Sequence, residues 1–221
     1  MNSNPSVLRE RVIVFGRFPV PGRTKTRLIP AIGAVGAAEF HRRLTEKILK
    51  TVKTFAMLRK MEVEFCFEGD SEQKVRRWLG SGPILSRQVQ GNLGERMHTA
   101  FFDSFQTGAH RVVLLGTDIW QLKLEHLKQS FDALVENDLV IGPSTDGGYW
   151  LIGMNQPFDL FEGIKWSTDL VLDQTLSLAK KQGLRVKTLS PLNDIDTEED
   201  LKQALSRNDW QKKYKLNQTK R

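Results

Sequence analysis

The stretch VIVFGRFPVPGRTKTRL, residues 12–28, begins with a short apolar run and continues into a basic loop. The run Val12–Phe15 predicts a strand, because it is apolar and rich in β-branched residues. The loop after it holds four basic residues, two prolines and two glycines, but no acid. A helix is predicted next, over Ala34–Phe55, since apolar residues recur at four-residue steps on one face. The N-terminal part of the chain thus has the pattern strand, loop and helix.

The same alternation of strands and helices runs along the rest of the chain. Further strands are predicted at Glu62–Phe67, Leu85–Val89, Arg111–Leu115, Leu139–Ile141, Tyr149–Gly153 and Arg185–Leu189, and further helices at Glu72–Leu79, Gly94–Phe105, Leu124–Glu136, Asp169–Gln182 and Glu198–Ser206. This pattern indicates a three-layer α/β domain around a largely parallel sheet. No repeat or linker divides the chain, so residues 1–208 are expected to form one domain, followed by a basic tail at 209–221.

Charge and composition limit the classes of partner. The net charge is +7, but the last eleven residues carry five of these positive charges, which leaves +2 for the rest. A nucleic-acid partner is therefore not expected. No window approaches ~20 consecutive apolar residues, so no membrane span is expected either. The N-terminus does not resemble a signal peptide, and the single Cys66 lies in an alternating stretch typical of a half-buried strand. These features favour a cytoplasmic protein.

The basic loop is the first candidate binding site. Ligands of open α/β sheets lie outside the carboxyl ends of the strands, which is where this loop begins. Arg17, Arg23, Lys25 and Arg27 would repel one another unless an anion neutralised them, and a di- or triphosphate would do so. Gly22 lets the backbone approach a ligand closely. The loop is not a Walker A motif, and a solvated basic loop is the alternative interpretation.

Three later segments carry polar residues at similar positions. Asp118 follows an apolar strand directly, and it fits either a cation bound between phosphates or a helix cap. Asp146, Gly147 and Gly148 form either a tight turn between strands or a loop that a sugar or acceptor could approach. Ser167 or Thr168 would cap the helix predicted from Asp169, and the same helix terminus could bind an anionic acceptor.

The segment Asn193–Asp200 contains five acidic side chains, and three of them, Asp194, Asp196 and Asp200, have different expected roles. Thr197 and Asp200 have the spacing of a capping box for the last helix. That motif does not explain Asp194 and Asp196, which share one face if the backbone is extended. Two like charges on one face are costly unless a cation lies beside them.

These loops, taken in order, resemble a known family. The sequence is similar to the rSAM/selenodomain-associated transferases, which are GT-A-type proteins of the nucleotide-diphospho-sugar transferase superfamily, and more distantly to the phospholactate guanylyltransferases and the molybdenum-cofactor guanylyltransferases. The matching motifs are FGRFPVPGRTKTRL, QGNLGERMHTAF, VVLLGTD, DLVIGPSTDGGYWLIG, FEGIKWSTDLVLDQTL and NDIDTEEDL, and together they extend from residue 12 to about residue 201. A GT-A-like fold with a mixed, mostly parallel central sheet is what the resemblance implies.

The resemblance also implies roles for individual residues. Nucleotide phosphates and their surroundings would be contacted by Arg17, Gly22, Arg23, Lys25, Arg27, Asn92, Gly94 and Arg96. A Mg²⁺ or Mn²⁺ ion would be held by Asp118, Asp194 and Asp196, and Lys25 and Asp118 are the catalytic candidates. The acceptor side would include Asp146, Gly147, Gly148, Ser167 and Thr168. Three residues of this sequence depart from the family pattern. Arg17 occupies a position where lysine is usual, Asn92 a position where many relatives have aspartate, and Trp120 a position where the family has proline.

A metal-dependent nucleotidyl transfer is the leading expectation for function. An NTP would give its NMP group to a small phosphorylated or carboxylated acceptor, a reaction that depends on positioning and charge neutralisation. No Ser/His/Asp or Cys/His set suggests covalent catalysis, and the four histidines lack the spacing of metal ligands. Glycosyl transfer from a nucleotide sugar is one alternative, and a catalytically silent nucleotide-binding protein is another.

Overall fold

The structure is a computed structural model that describes residues 8–206, without the side chains of residues 205 and 206. Its strands are β1 (Glu10–Arg17), β2 (Glu62–Glu68), β3 (Ile84–Arg87), β4 (Arg111–Gly116), β5 (Leu139–Pro143), β6 (Tyr149–Met154) and β7 (Val186–Thr188). Its α-helices are α1 (Ile29–Arg59), α2 (Glu72–Leu79), α3 (Leu93–Gln106), α4 (Leu124–Glu136), α5 (Val171–Lys181) and α6 (Glu198–Ser206). The basic tail predicted at 209–221 lies outside the described residues.

The seven strands form one mixed sheet in the order β3-β2-β1-β4-β6-β5-β7. The four strands β3, β2, β1 and β4 are parallel to one another. Strand β6 is antiparallel to both of its neighbours, β4 and β5, whereas β5 and β7 pair in parallel. The predicted mixed, mostly parallel sheet is therefore confirmed.

Both faces of the sheet are covered by helices. On β1, Val12 and Val14 point into a core that includes apolar residues of α1, α2, α4 and α6, whereas Ile13 points into a second core with residues of α3 and α5. All three side chains are fully buried. Strands buried on both faces read as continuous apolar runs, which explains the sequence of β1. The predicted three-layer architecture is confirmed.

Helix α1 begins earlier than the predicted start at Ala34. It starts at Ile29, with Pro30 in its first turn, and Gly33 interrupts the helical backbone with a φ of 73°. Proline is tolerated in a first turn because its missing N–H has no intrahelical partner there. The predicted start lay just beyond this kink, where the apolar period of the main helix begins. Within residues 8–206, no helix is long and apolar enough to cross a membrane.

The parallel strands bring four connecting loops to one edge of the sheet. Strands β1, β2 and β4 end at Arg17, Glu68 and Gly116. These ends lie side by side, because Gly16 pairs with Phe67 of β2 and Phe15 pairs with Gly116 of β4. The loops after β1, β2, β3 and β4 consequently meet there. This carboxyl edge is where ligands of open α/β sheets bind.

Candidate active site at the carboxyl edge of the sheet

A cavity of about 580 Å³ lies at this carboxyl edge. Five basic and three acidic side chains line it, together with polar and apolar residues of the same loops. The charged residues are Arg17, Arg23, Lys25, Arg27, Arg96, Glu68, Asp118 and Asp196. Seven of these eight were predicted site residues, so the fold brings the basic loop together with two of the three predicted metal ligands.

The basic loop is held in shape by its own hydrogen bonds. The buried Thr24 hydroxyl accepts a hydrogen bond from the Val20 amide at 3.0 Å and lies 3.4 Å from the Phe18 carbonyl. Gly22 adopts a φ of 78°, a left-handed conformation that favours glycine. The loop ends in a short 3-10 turn, Thr26–Leu28, whose last residue is fully buried. The exposed basic side chains thus extend from a folded loop.

Lys25 is the central charge of the site. Its ammonium lies 2.9 Å from Oδ1 of Asp118 and 2.7 Å from Oδ1 of Asp196, and it donates to the Ile195 carbonyl at 2.5 Å. The side chain is only 6% exposed. Burial acts to lower the pKa of Lys25, but the two carboxylates outweigh it, and the pKa lies above its usual value. Lys25 is therefore a charged, buried link between three segments of the chain.

Backbone pairing explains why Asp118 and Asp196 meet. Ile119 and Asp194 form an antiparallel bridge, and the Ile195 amide donates to the Asp118 carbonyl at 3.0 Å. This pairing places the segment before α6 beside the loop after β4, across about eighty residues of sequence. Thr197 and Asp200 then form the predicted reciprocal capping interaction at the start of α6.

Asp194 differs from the other two carboxylates. Burial and the nearby charges of Asp118, Asp146 and Asp196 raise the pKa of Asp194 to about 7, and Lys25 offsets this only partly. Asp118 behaves differently. Burial acts to raise its pKa, but the charge and hydrogen bond of the Lys25 ammonium act in the opposite direction, and the pKa of Asp118 lies below its usual value. Asp194 lines a small neighbouring cavity with Trp120 and does not line the large one.

The three aspartates suit a hard divalent cation in chemistry but not in their present arrangement. Carboxylate oxygens are preferred ligands of Mg²⁺ and Mn²⁺, and the repulsion on Asp194 is what a cation would relieve. However, within residues 8–206 no three His, Cys, Asp or Glu side chains are grouped so that they could hold an ion. The Lys25 ammonium lies between Asp118 and Asp196, where an ion bridging them would bind.

A second ion-pair network was not foreseen from the sequence. Glu68, at the end of β2, pairs with Arg17 and with Arg96, the latter at 2.6 Å. The buried Gln88 amide donates to the carbonyls of Gly16 and Cys66, both at 3.1 Å, and its oxygen lies 3.3 Å from Arg96. The loop without local acids is thus partly neutralised by acids from other loops.

Arg23 and Arg27 take no part in this network, so their side chains are available to bind a ligand. Arg27 is 77% exposed and lies 4.0 Å from Asp196. Arg23 is exposed, and within the described part of the chain it has no carboxylate partner. Since the other three cations balance the three carboxylates of the cavity, these two arginines supply its excess positive charge.

His41 joins helix α1 to the end of β1. Its Nε2 lies 3.0 Å from the Arg17 carbonyl, which only accepts hydrogen bonds, so Nε2 carries the proton. His41 borders the cavity, but only 4% of the residue's surface is exposed. Burial lowers the pKa of its imidazole. A neutral His41 adds no charge to the site, and its hydrogen bond to β1 gives it a structural role.

The predicted acceptor residues form a separate cluster beside α5. The Asp146–Gly148 turn between β5 and β6 is the tight turn that the sequence allowed, with the Gly148 amide donating to Oδ1 of Asp146 at 3.0 Å. A Cβ at Gly147 would lie 2.2 Å from the Asp169 carbonyl oxygen, so this turn packs directly on the segment before α5. Neither this turn nor Ser167 and Thr168 lines the 580 Å³ cavity.

The predicted start of α5 at Asp169 is wrong. Thr168 donates to the Lys165 carbonyl at 2.7 Å and accepts from the Leu170 amide, which closes a turn ahead of the helix. Helix α5 begins at Val171, and the Leu172 amide of its first turn donates to the Gly147 carbonyl at 2.9 Å. A carbonyl from another loop thus satisfies an amide in the first turn of the helix, while the Thr168 side chain bonds the Leu170 amide just ahead of it.

Asn92 and Gly94 lie at the N-terminus of α3 and line a different cavity of about 590 Å³. Asn92 forms a capping box with Glu95, so its side chain satisfies the first turn of the helix. Trp166, from the segment before α5, also borders this cavity. Leu93 faces the basic cavity instead, so the N-terminus of α3 separates the two spaces.

Residues 51–168 match the family described as "Uncharacterized protein conserved in bacteria (DUF2064)". The chain belongs to this family. A protein from Desulfovibrio desulfuricans G20, provisionally described as a nucleotide-diphospho-sugar transferase, is 32% identical with a TM-score of 0.84, over 93% of this chain and 91% of that chain. None of the curated proteins compared with the chain matches it.

Two more distant structures share the fold. The 4-diphosphocytidyl-2C-methyl-D-erythritol synthase from Anaerococcus prevotii DSM 20548 is 13% identical, with a TM-score of 0.60, over 90% of this chain and 98% of that chain. Rv0371c from Mycobacterium tuberculosis H37Rv, determined in complex with manganese, is 17% identical, with a TM-score of 0.52, over 91% and 100%. Together with the first match they confirm the GT-A-like, nucleotide-diphospho-sugar transferase fold.

Proposed function

We propose that this protein is a metal-dependent nucleotidyltransferase that moves an NMP group from an NTP to a small phosphorylated or carboxylated acceptor. The observation that carries the proposal is the 580 Å³ cavity, where a basic loop joins two aspartates of the carboxyl edge through Lys25. The resemblance of the loop motifs to the rSAM/selenodomain-associated transferases and the phospholactate guanylyltransferases supports it. The relative at 32% identity, described as a transferase, supports it as well.

The charges of the cavity suit the triphosphate. Arg23 and Arg27, which supply its excess positive charge, would bind the β- and γ-phosphates, since guanidinium groups bind phosphate through paired hydrogen bonds. An acceptor oxygen would attack the α-phosphorus, forming one P–O bond while the bond to the β-phosphate oxygen breaks and pyrophosphate leaves. Lys25, once turned towards the α-phosphate, would stabilise the charge that develops there.

Asp118, Asp194 and Asp196 would hold the Mg²⁺ or Mn²⁺ ion, which when bound supplies neutralisation of the phosphate charges. The structure solved with manganese concerns Rv0371c, and it supports a divalent cation on this fold. We propose that the acceptor side is formed by Asp146, Gly147, Gly148, Ser167 and Thr168. The turn that contains Gly147 packs on the segment before α5. The negative charge of Asp146 also acts on Asp194, one of the proposed metal ligands.

The test is a binding screen followed by product analysis. Thermal stability is measured with each NTP and with nucleotide sugars, with and without Mg²⁺ or Mn²⁺; a ligand at 100 times its Kd adds about 2.7 kcal/mol. The ligands that stabilise the protein are then incubated with pooled phosphorylated and carboxylated acceptors. Release of pyrophosphate supports nucleotidyl transfer.

Glycosyl transfer from a nucleotide sugar is the second candidate, and the description of the relative at 32% identity favours it. It would use the same phosphate cavity but release a nucleoside diphosphate. Stabilisation by a nucleotide without either product would instead indicate a catalytically silent nucleotide-binding protein.

A further inference from the structure

The hydrogen-bonding capacity of the Lys25 ammonium is fully used inside the protein. An ammonium group has three N–H donors and no acceptor. In this site the three acceptors are Oδ1 of Asp118 at 2.9 Å, Oδ1 of Asp196 at 2.7 Å and the Ile195 carbonyl at 2.5 Å. No donor is left for a phosphate oxygen, although the sequence predicts that Lys25 binds phosphate.

The position of the ammonium is as informative as its bonds. Nζ lies between two carboxylates from different loops, and the side chain is 94% buried, with 6% exposed. A divalent ion bound to the same oxygens would sit at ~2.1 Å from them, within the space that Nζ now fills. Two cations at one point repel strongly in a partly desolvated site. Lysine and metal therefore exclude each other there.

We propose that the Lys25 ammonium is a resident counter-ion of this carboxylate pair, and that a divalent cation binds to Asp118 and Asp196 only when Lys25 leaves. With Lys25 between the two carboxylates, no three potential ligands are grouped around one point in the described residues. Lys25 keeps its charge in both states and changes only its partner.

The exchange needs a new partner for the lysine, and the proposed function supplies one; this part of the inference rests on that function. Breaking a buried ion pair without compensation costs several kcal/mol, so without nucleotide Lys25 is expected to be displaced only by Mn²⁺ at high concentration. Nucleotide phosphates in the adjoining cavity would accept the ammonium, and the vacated carboxylates would accept the metal. Binding of nucleotide and metal should be mutually cooperative, because coupling between two sites is reciprocal.

The direct test measures Mn²⁺ binding without nucleotide, from the electron paramagnetic resonance signal of free Mn²⁺. Lys25→Met should bind Mn²⁺ about tenfold more tightly than the unmodified protein, or better, because no internal cation competes. The control is Arg27→Met, which removes one positive charge 4.0 Å from Asp196 without vacating the space between the carboxylates. Equal Mn²⁺ affinity in Lys25→Met and the unmodified protein, or an equal gain in Arg27→Met, overturns the proposal.

A second measurement uses the unmodified protein and does not depend on whether Lys25→Met folds. Pulse acetylation, read by mass spectrometry, compares Lys25 with Lys128, whose side chain is 60% exposed. Lys25 should be acetylated slowly in EDTA and markedly faster, relative to Lys128, when Mn²⁺ is bound. An unchanged rate with bound Mn²⁺ contradicts the exchange. Failure of every NTP to bind would remove the proposed function while leaving both metal results to stand.

Discussion

The indole ring of Trp166 lies directly against the Cα of Gly94. A Cβ at Gly94 would lie 2.6 Å from Cζ2 and 2.8 Å from Nε1 of Trp166, closer than real Cβ contacts. Trp166 is half-buried and also contacts Phe161 at a ring distance of 6.3 Å. The contact fixes the start of α3, which borders the basic cavity, to the segment before α5. It indicates a packing role for Trp166.

Gly94→Ala should therefore destabilise the protein although alanine favours helices. Propensity would add about 1 kcal/mol of stability, whereas forcing a Cβ into the indole costs roughly 1–3 kcal/mol. Trp166→Ala should lower stability by roughly 2 kcal/mol, because the ring is only half-buried. Urea denaturation of both variants and of the double variant checks this. Gly94→Ala should cost less in the Trp166→Ala background, where its Cβ still meets the Phe161 carbonyl oxygen at 2.9 Å but no longer the indole; strictly additive effects would contradict the contact.

Much of the fold could be predicted from the sequence because periodicity and burial agree along most of the chain. Helices α2, α4 and α6 have the predicted bounds, and β1 has the continuous apolar run of a strand buried on both faces. The start of α5 was predicted wrongly because the decisive hydrogen bond, from Leu172 to the Gly147 carbonyl, comes from a distant loop. A local capping pattern does not contain that information.

Removal of Arg23 or Arg27 should weaken nucleotide binding and leave the fold intact. Both side chains are exposed, so Arg23→Ala and Arg27→Ala should change the free energy of unfolding by about 0.5 kcal/mol or less. Each lost charge-assisted contact should cost about 1.5–3 kcal/mol of nucleotide affinity, which is roughly tenfold or more in Kd. Calorimetry at two salt concentrations measures this, with Lys128→Ala as control. Unchanged affinity in both variants would remove the loop from the site.

Cys66 should be inert in the folded protein. It lies on β2 with 4% of its surface exposed, and burial raises the pKa of its thiol to about 12. The thiolate is the reactive form, so almost none is present at pH 8. A thiol reagent should react with the single cysteine only as fast as the protein opens, and at once in urea. Rapid labelling at low reagent concentration, with native circular dichroism retained, would contradict this.

Asp118→Asn and Asp196→Asn should lower stability in EDTA. From the sequence alone, repulsion between converging carboxylates predicts that removing one of them stabilises the metal-free protein. The structure alters that expectation, because both side chains bind the buried Lys25 ammonium. Each substitution weakens one partner of a buried charge, at a cost of roughly 1–2 kcal/mol for side chains that are 44% and 40% exposed. Thermal melts in EDTA check this, and a higher Tm for either variant would show that repulsion dominates.

The candidate site could be predicted in part, for a reason that lies in the topology. Residues at or just beyond the ends of β1 and β4, such as Arg17 and Asp118, are recognisable because the carboxyl edge of a parallel sheet is a known binding position. The same rule applied to β2 and β3 would have indicated Glu68 and Gln88. The pairing of Ile119 with Asp194, by contrast, has no local signal, and only the folded chain shows it.

Asp194→Asn should stabilise the metal-free protein at pH 8, in contrast to the other two aspartates. Burial and the charges of Asp118, Asp146 and Asp196 raise the pKa of Asp194 from 3.8 to about 7, so the folded state holds this proton more tightly than the unfolded chain. Stability then falls as the pH rises from about 4 to about 7 and levels off above that value. At about 1.4 kcal/mol per pH unit the upper bound of this loss is roughly 4 kcal/mol, and residual solvent contact makes it smaller.

The measurement is urea denaturation in EDTA at pH 5 and pH 8 for the unmodified protein, Asp194→Asn and the control Asp159→Asn, whose side chain is 84% exposed. Asp194→Asn should lose less stability than the unmodified protein between pH 5 and pH 8. Its free energy of unfolding should therefore exceed that of the unmodified protein by more at pH 8 than at pH 5. Asp159→Asn, which removes an exposed carboxylate outside this cluster, should leave the difference unchanged. Equal pH dependence in all three proteins would show that Asp194 is not held among repelling charges.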